Sequence, residues 1–350
     1  MSPLRSTDRM EKKRKIRLLP FITLVSALLL VWLLGRLVIP KYDSGITEGA
    51  LIGAYYESKT PHEVIFIGDC EVYEAFSPVT LFGEYGVSSF VRGTAQQLIW
   101  QSRYILEETL ARETPKAVVL GICSMKYGEP QSEAYNRMTL DGMRLSPYKL
   151  RSVWAGKTGE ETVLSYLFPL LRYHERITEL TKEDFTYLFK RPDIGFNGFL
   201  MHTETEPYVW LPADTGIAEP FSDRCRKELE AIAEICGSKG VTLILVKSPC
   251  LYPYWSESYD TALEAFAEEH GIVYLNANAY EAETGIDWST DTCDGGMHLN
   301  VSGAEKYTHW FAEKALLPLG LTDFRNDPAV KSEFDPLTEK YEAAKAAPAA

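Results

Sequence analysis

The stretch FIGDCEVYEAFSP, residues 66–78, decides how this chain folds. It starts inside an unbroken apolar run, EVIFIG (63–68), turns at Gly68-Asp69 and delivers Cys70 to the head of a helical segment. An apolar run of strand length with no polar alternation is buried on both faces, and such strands belong to parallel sheets covered by helices. In a sheet of that kind, functional residues gather at the carboxyl ends of the strands. Cys70 therefore stands where a nucleophile would stand.

The rest of the chain repeats this rhythm. SSFVRG (88–93) is a short strand, and QQLIWQSRYILEETLARE (96–113) is an amphipathic helix. KAVVLGI (116–122) is a second buried run. The helix DRCRKELEAIAEICGSKG (223–240) precedes the strand VTLILVKS (241–248), and YDTALEAFAEEHG (259–271) precedes IVYLN (272–276). A last helix, SGAEKYTHWFAEKAL (302–316), follows a loop. Alternating strands and helices predict an α/β fold, three layers deep, with a parallel sheet and right-handed crossovers. Residues 125–220 break the pattern. They hold a helical stretch, TVLSYLFPLLRYHERITEL (162–180), and a Pro/Gly/aromatic-rich segment, and they are expected to form a cap over the strand ends.

The N-terminus belongs to no such fold. Residues 18–35, LLPFITLVSALLLVWLLG, are uncharged and long enough to span a bilayer. Seven Lys/Arg and two Asp/Glu precede them, which places the N-terminus in the cytoplasm and the remainder outside. The alternative, a cleaved signal peptide, has a shorter apolar region, and no small-x-small site follows here. The chain holds 36 Lys/Arg and 49 Asp/Glu; without the first 17 residues this leaves 29 against 47, a net charge of −18. So acidic a body does not bind nucleic acid through bulk charge. The expected layout is a basic leader (1–17), a membrane anchor (18–39), a tether (40–60), an α/β domain (61–320) and a C-terminal tail (321–350), frayed at LTEKYEAAKAAPAA. Six scattered cysteines form no metal-like pattern, and Cys225 and Cys236, about 16 Å apart on one helix, cannot pair with each other. No disulfide, metal or cofactor is expected.

Three pieces carry chemistry: Gly68-Asp69-Cys70 after the first strand, Gly93 after the second, and DGGMHLNVSGAEKY (294–307), which sets His298 before the last helix. A nucleophile needs a base within reach, and the base needs a group to orient it. In these blocks and their order, the chain resembles the SGNH (GDSL-like) hydrolases over roughly residues 63–316, with "FSP" and "TAQQ…WQS" phrases similar to those of membrane-anchored, cell-envelope members of firmicute type. The resemblance implies a flavodoxin-like sheet and an esterase or O-acyltransferase acting on envelope glycan esters. It implies Cys70 as nucleophile in place of serine, His298 as base and Asp294 as its orienting carboxylate, with Asp291 as fallback. Backbone N–H groups of Cys70 and Gly93 would form the oxyanion hole. The chain departs from the family in its third block, where an asparagine is replaced by Cys123-Ser124 in GICSMKY.

Asn136 of the insertion is a candidate for the missing amide, with a cap-folding contact as its alternative. Arg137, Gln97 and Ser124 are the other expected substrate contacts, and Lys247 and Tyr252 lie at the site edge. A thiolate beside an imidazolium at a helix N-terminus would have a depressed pKa. The other histidines, His202 among them, are expected in structural or exposed roles. A multi-pass membrane O-acyltransferase is the implied protein partner. The competing reading is a non-catalytic SGNH-fold protein that binds glycan or assists an envelope acylation system. The topology is testable: protease added to intact protoplasts should digest everything beyond Lys41, and full protection would reverse the orientation.

Overall fold

The computed structural model describes residues 4–40, 47–159, 161–189, 194–210, 220–252 and 254–347; side chains are described from Leu19 onward in the first helix and from Ala50 in the second. Helix α1 (Leu4–Val38) includes the apolar stretch Leu19–Val38, the one described helix long and apolar enough to cross a membrane. Helix α2 (Thr47–Ala54) falls in the expected tether, whose residues 41–46 lie outside the described residues. Its surroundings are not tether-like. Leu51, Ile52, Tyr55 and Tyr56 are buried, and the two phenols donate to Glu113 (2.6 Å) and Glu108 (2.7 Å).

Five strands follow with their helices. Strand β1 (Val64–Gly68) leads into α3 (Cys70–Tyr73) and α4 (Pro78–Tyr85); β2 (Ser89–Gly93) leads into α5 (Ile99–Leu110). After β3 (Ala117–Gly121) come the helices of the insertion: α6 (Glu133–Gly142), α7 (Pro147–Gly156), α8 (Val163–Leu167), α9 (Leu170–Tyr173) and α10 (Lys182–Thr186). The chain then makes α11 (Asp223–Lys239), β4 (Thr242–Lys247), α12 (Glu257–His270), β5 (Val273–Asn276), α13 (Glu281–Thr284), α14 (Val301–Phe311) and α15 (Pro328–Ala346). The sheet is parallel throughout, in the order β2-β1-β3-β4-β5. That is the flavodoxin-like order of a doubly wound fold.

Alternate strand residues feed two cores. Ile65, Ile67, Val118, Leu120 and Leu245 pack with α2, α5, α11 and α12. Val64, Phe66, Val119, Ile244 and Val246 pack with α3, α4, α14 and α15. Three expectations change. The single helix read over 162–180 is broken at Phe168-Pro169, because a proline lacks the N–H a helix interior needs. The helices of the insertion pack on α2, α5 and α1, so they flank the sheet; residues 194–208 run past the strand ends, through Leu200 N–H to Tyr73 O (2.8 Å) and Val301 N–H to His202 O (2.7 Å). The C-terminal tail is an ordered helix up to Ala346: Val330, Phe334 and Tyr341 are buried, and Phe334 stacks on Phe82 at 4.1 Å. Phe334→Ala should therefore cost about 3–5 kcal/mol, the usual range for a truncated core aromatic; a urea midpoint unchanged from wild type would show that α15 is peripheral.

Candidate active site

Cys70 is the first residue of α3. Asp69 caps that helix, accepting the Glu71 N–H at 3.2 Å, and a tight turn of this kind projects the cysteine at the carboxyl edge of β1. Gly93 lies alongside, in register with Gly68. A Cβ on Gly93 would sit 2.9 Å from Gly68 O and 3.1 Å from Tyr73 Cβ, so the close approach itself requires glycine there.

On the opposite side, the loop before α14 presents His298. Gly295 (φ 73°) and Gly296 (φ 101°) take left-handed backbone that a side chain would resist, and they fold the loop back on itself. Asp294 thereby grips His298 twice: Oδ1 accepts the His298 backbone N–H (2.8 Å) and Oδ2 lies 2.5 Å from Nδ1. A carboxylate only accepts, so Nδ1 carries the proton and Nε2 is left as the basic nitrogen. Asp291, the fallback, is spent elsewhere, on Lys306 (2.6 Å) and the Asp287 N–H (2.8 Å).

The electrostatics differ from expectation. Burial, and then the charges of Asp69, Glu74 and Glu71, push the Cys70 thiol well above its ordinary range. No depressed thiolate is present. For His298, burial opposes the charged ring, but the Asp294 hydrogen bond and the Glu74 and Asp294 charges outweigh it and raise its pKa above the ordinary 6.5. Glu74 is buried between two imidazoles, 3.4 Å from His298 Nδ1 and 3.8 Å from His202 Nε2. His202, expected to be structural or exposed, is pushed up to about 9, first by Glu74 and against the effect of burial, with help from Glu204 at 2.8 Å.

Behind Cys70 lies a fully buried ammonium. Lys247 donates to Glu71 Oε2 (2.8 Å) and Ser248 O (2.9 Å) and lies 2.9 Å from Cys250 Sγ. Burial first, then the Glu71 charge, raise the Asp69 carboxyl to about 7, with Lys247 opposing. Sequence reading gave no role to Glu71, Glu74 or Cys250; the signal was their spacing from Cys70 on a short helix and the strand-end place of Lys247. Glu74, His202 and Cys293 bring donor atoms within 4.8 Å of one another, the one such group of metal-ligating types among the described residues.

Of the expected substrate contacts, Asn136, Arg137 and Gln97 are engaged within the fold. Asn136 is buried, bonding Gly156 O (2.7 Å) and accepting from Gln101 (3.2 Å), so it does not replace the missing amide. Arg137 is tied to Glu133, Asp141 and Glu161 within the insertion. Gln97 is buried, closing its own loop on Arg92 O (3.3 Å) and Ser102 (3.1 Å). Ser124 is buried in the turn after β3. Tyr252 is half exposed.

No family model and no curated protein matches the chain. Among solved structures it is similar to a candidate acylhydrolase from Bacteroides fragilis, at 11% identity and TM-score 0.38, over 78% of this chain and 98% of that one. It is also similar to the acetylxylan esterase Axe2 of Geobacillus stearothermophilus, at 12% and 0.35, over 76% and 98%. A candidate GDSL-like lipase from Parabacteroides merdae gives 9% and 0.35, over 73% and 96%. The strand order, rather than these distant likenesses, defines the class: a flavodoxin-like, doubly wound α/β fold.

The Asp294–His298 pair has a direct test. Asp294→Asn should lower the His298 pKa, because the carboxylate that favours the charged ring is gone; the pH dependence of its modification by diethyl pyrocarbonate reports the shift, and an unmoved midpoint would mean that Glu74 alone sets it.

Proposed function

We propose that this protein is an ester hydrolase that works through Cys70, His298 and Asp294, held at a membrane surface by α1. The observation that carries the reading is the double grip of Asp294 on His298, which leaves Nε2 as the basic nitrogen; His298 Nδ1 lies 3.4 Å from Glu74, one helical turn beyond Cys70, and no hydrogen bond joins His298 to Cys70 itself. His298 Nε2 takes the thiol proton as the sulfur attacks the ester carbonyl. The tetrahedral intermediate collapses to a thioester, and His298 returns the proton to the departing alcohol. Water, deprotonated by the same nitrogen, then attacks the thioester; the acid leaves and His298 returns the proton to the departing sulfur, restoring the neutral thiol. The thiol is neutral at rest, so proton removal accompanies attack, as it does for serine. Asp294 stabilises the imidazolium formed in each step. An extracytoplasmic body and a membrane tether fit an envelope glycan ester as substrate; transfer to a glycan hydroxyl instead of water, in concert with a multi-pass O-acyltransferase, is the acyltransferase form of the same chemistry.

A second reading has its own observation. Three carboxylic acids crowd Cys70 and push its thiol up, which suits a binding site whose nucleophile is lost. Activity on p-nitrophenyl acetate separates the two. The hydrolase reading expects Cys70→Ala to abolish turnover, Cys70→Ser to retain it, and His298→Ala to lose about 10²–10⁴-fold, the usual share of a general base. Wild type and Cys70→Ser both inert would favour the binding reading. The base must be neutral to act, and its pKa is raised, so kcat/KM should climb with pH through a midpoint above 6.5. Because the thiol is protonated, iodoacetamide should alkylate Cys70 slowly at neutral pH; fast alkylation would mean a thiolate these surroundings do not support.

A further inference from the structure

A second cavity lies where α1 meets the insertion. Its volume is about 730 Å³, and the last turns of α1 contribute Leu28, Val31 and Trp32 to its wall. The helix is fastened there: Arg36 donates to Leu188 O (3.4 Å), Arg176 donates to Val38 O (2.8 Å), and a Cβ on Gly35 would lie 3.3 Å from Pro169. Around this junction the insertion leaves Leu164, Leu171, Phe185 and Phe189 exposed, the last at 84%. Apolar side chains in such numbers beside a spanning helix match a bilayer rather than water.

The charged lining is mostly basic. Arg36, Arg137, Arg144, Lys149 and Arg172 face the cavity, with Asp141 the only carboxylate among the described lining, in a chain whose net charge is −13. Arg137 and Arg172 are paired with Glu161. Arg144 donates to Tyr56 O (3.4 Å) and stacks on the Tyr56 ring, and among the described residues it has no ion-pair partner. Lys149 is the telling group. It is 8% exposed, its ammonium donates to Met143 O at 3.3 Å, and among the described residues it has neither a second hydrogen bond nor a counter-charge in contact. Burial pushes its pKa down; Asp141 and Glu108 favour the charged form from beyond ion-pair distance while Arg137 opposes it, so an anion in direct contact would hold the ammonium.

We propose that this cavity binds the phosphate of an anionic membrane phospholipid, held by Lys149 and Arg144, with an acyl chain lying along α1 at Leu28, Val31 and Trp32. The proposal rests on the membrane placement of α1. It makes the lipid part of the joint between anchor and body, because the ligand touches both. The two assumptions fail separately. A chain extracted from membranes by alkaline carbonate would overturn the placement. A chain that resists extraction but shows no lipid preference would overturn the lipid site alone.

The test uses the full chain in neutral-detergent micelles, with the melting midpoint read after adding phosphatidylglycerol, phosphatidylcholine or inorganic phosphate. Phosphatidylglycerol alone should raise the midpoint by several degrees. Lys149→Met should melt higher than wild type without lipid, since a bare buried charge is gone, and should lose the response to phosphatidylglycerol. Arg144→Gln should weaken that response, and it decides the question if Lys149→Met does not fold. Equal effects of the two lipids, an effect of inorganic phosphate matching that of phosphatidylglycerol, or an unchanged response in the variants would each overturn the proposal.

Discussion

Three glycines at the ends of neighbouring strands govern the geometry of this protein. Gly68, Gly93 and Gly121 finish β1, β2 and β3, and the short helix α3 sits directly on them. A methyl group on Gly68 or Gly121 would overlap the Val72 side chain, and one on Gly93 would meet Tyr73. Small residues at all three places let a single turn of helix drop onto the sheet edge, and that drop aims Cys70. It also forces Glu71 and Glu74, the residues one and four beyond it, below the surface. The crowding of acids around the sulfur is thus a by-product of how the sulfur is positioned.

Such crowding needs relief, and the chain supplies it from the other strands. Lys247, at the end of β4, answers Glu71; His298 and His202 answer Glu74. Asp69 responds differently: burial, then the Glu71 charge, raise its carboxyl above the usual carboxylate range and so favour its uncharged form. A thiol in this company cannot rely on standing ionised, as those of many cysteine enzymes do. Under the proposed function, what remains for catalysis is concerted proton transfer to an imidazole that Asp294 holds firmly.

The sheet was legible because each strand is a continuous apolar run, and a strand buried on both faces leaves no other pattern. The contact between Asp294 and His298 was legible as well, because two consecutive glycines announce a loop that can close. What stayed hidden had weak or misleading local signals. LTEKYEAAKAAPAA looks like low complexity, yet Val330, Phe334 and Tyr341 upstream and within it share one helical face that packs on α4 and α14. Tyr55 and Tyr56 sit in a segment that reads as a tether, and only the tertiary structure shows them stacked with Arg92 against the sheet (4.0 Å from its guanidinium carbon to the Tyr55 ring). Glu74 and His202 are 128 residues apart in sequence and meet through a crossing segment whose composition gives no hint of it.

The clasp between the two ends of the body carries a consequence for biosynthesis. Glu333 of α15 accepts from the Ser58 hydroxyl (2.6 Å) and from the Thr60 hydroxyl and backbone N–H (2.9 and 3.2 Å), and Phe334 beside it fills the space over Phe82. Segments made first are thus completed by segments made last. A chain emerging from the ribosome, N-terminus leading, has every strand of its sheet available well before this final helix arrives. Until then the α4 side of the core lacks its cover, and an apolar patch stays open to solvent or to chaperones. Premature termination between α14 and α15 leaves a product with a full set of strands and an uncovered flank, the kind of near-native species that quality-control proteases remove.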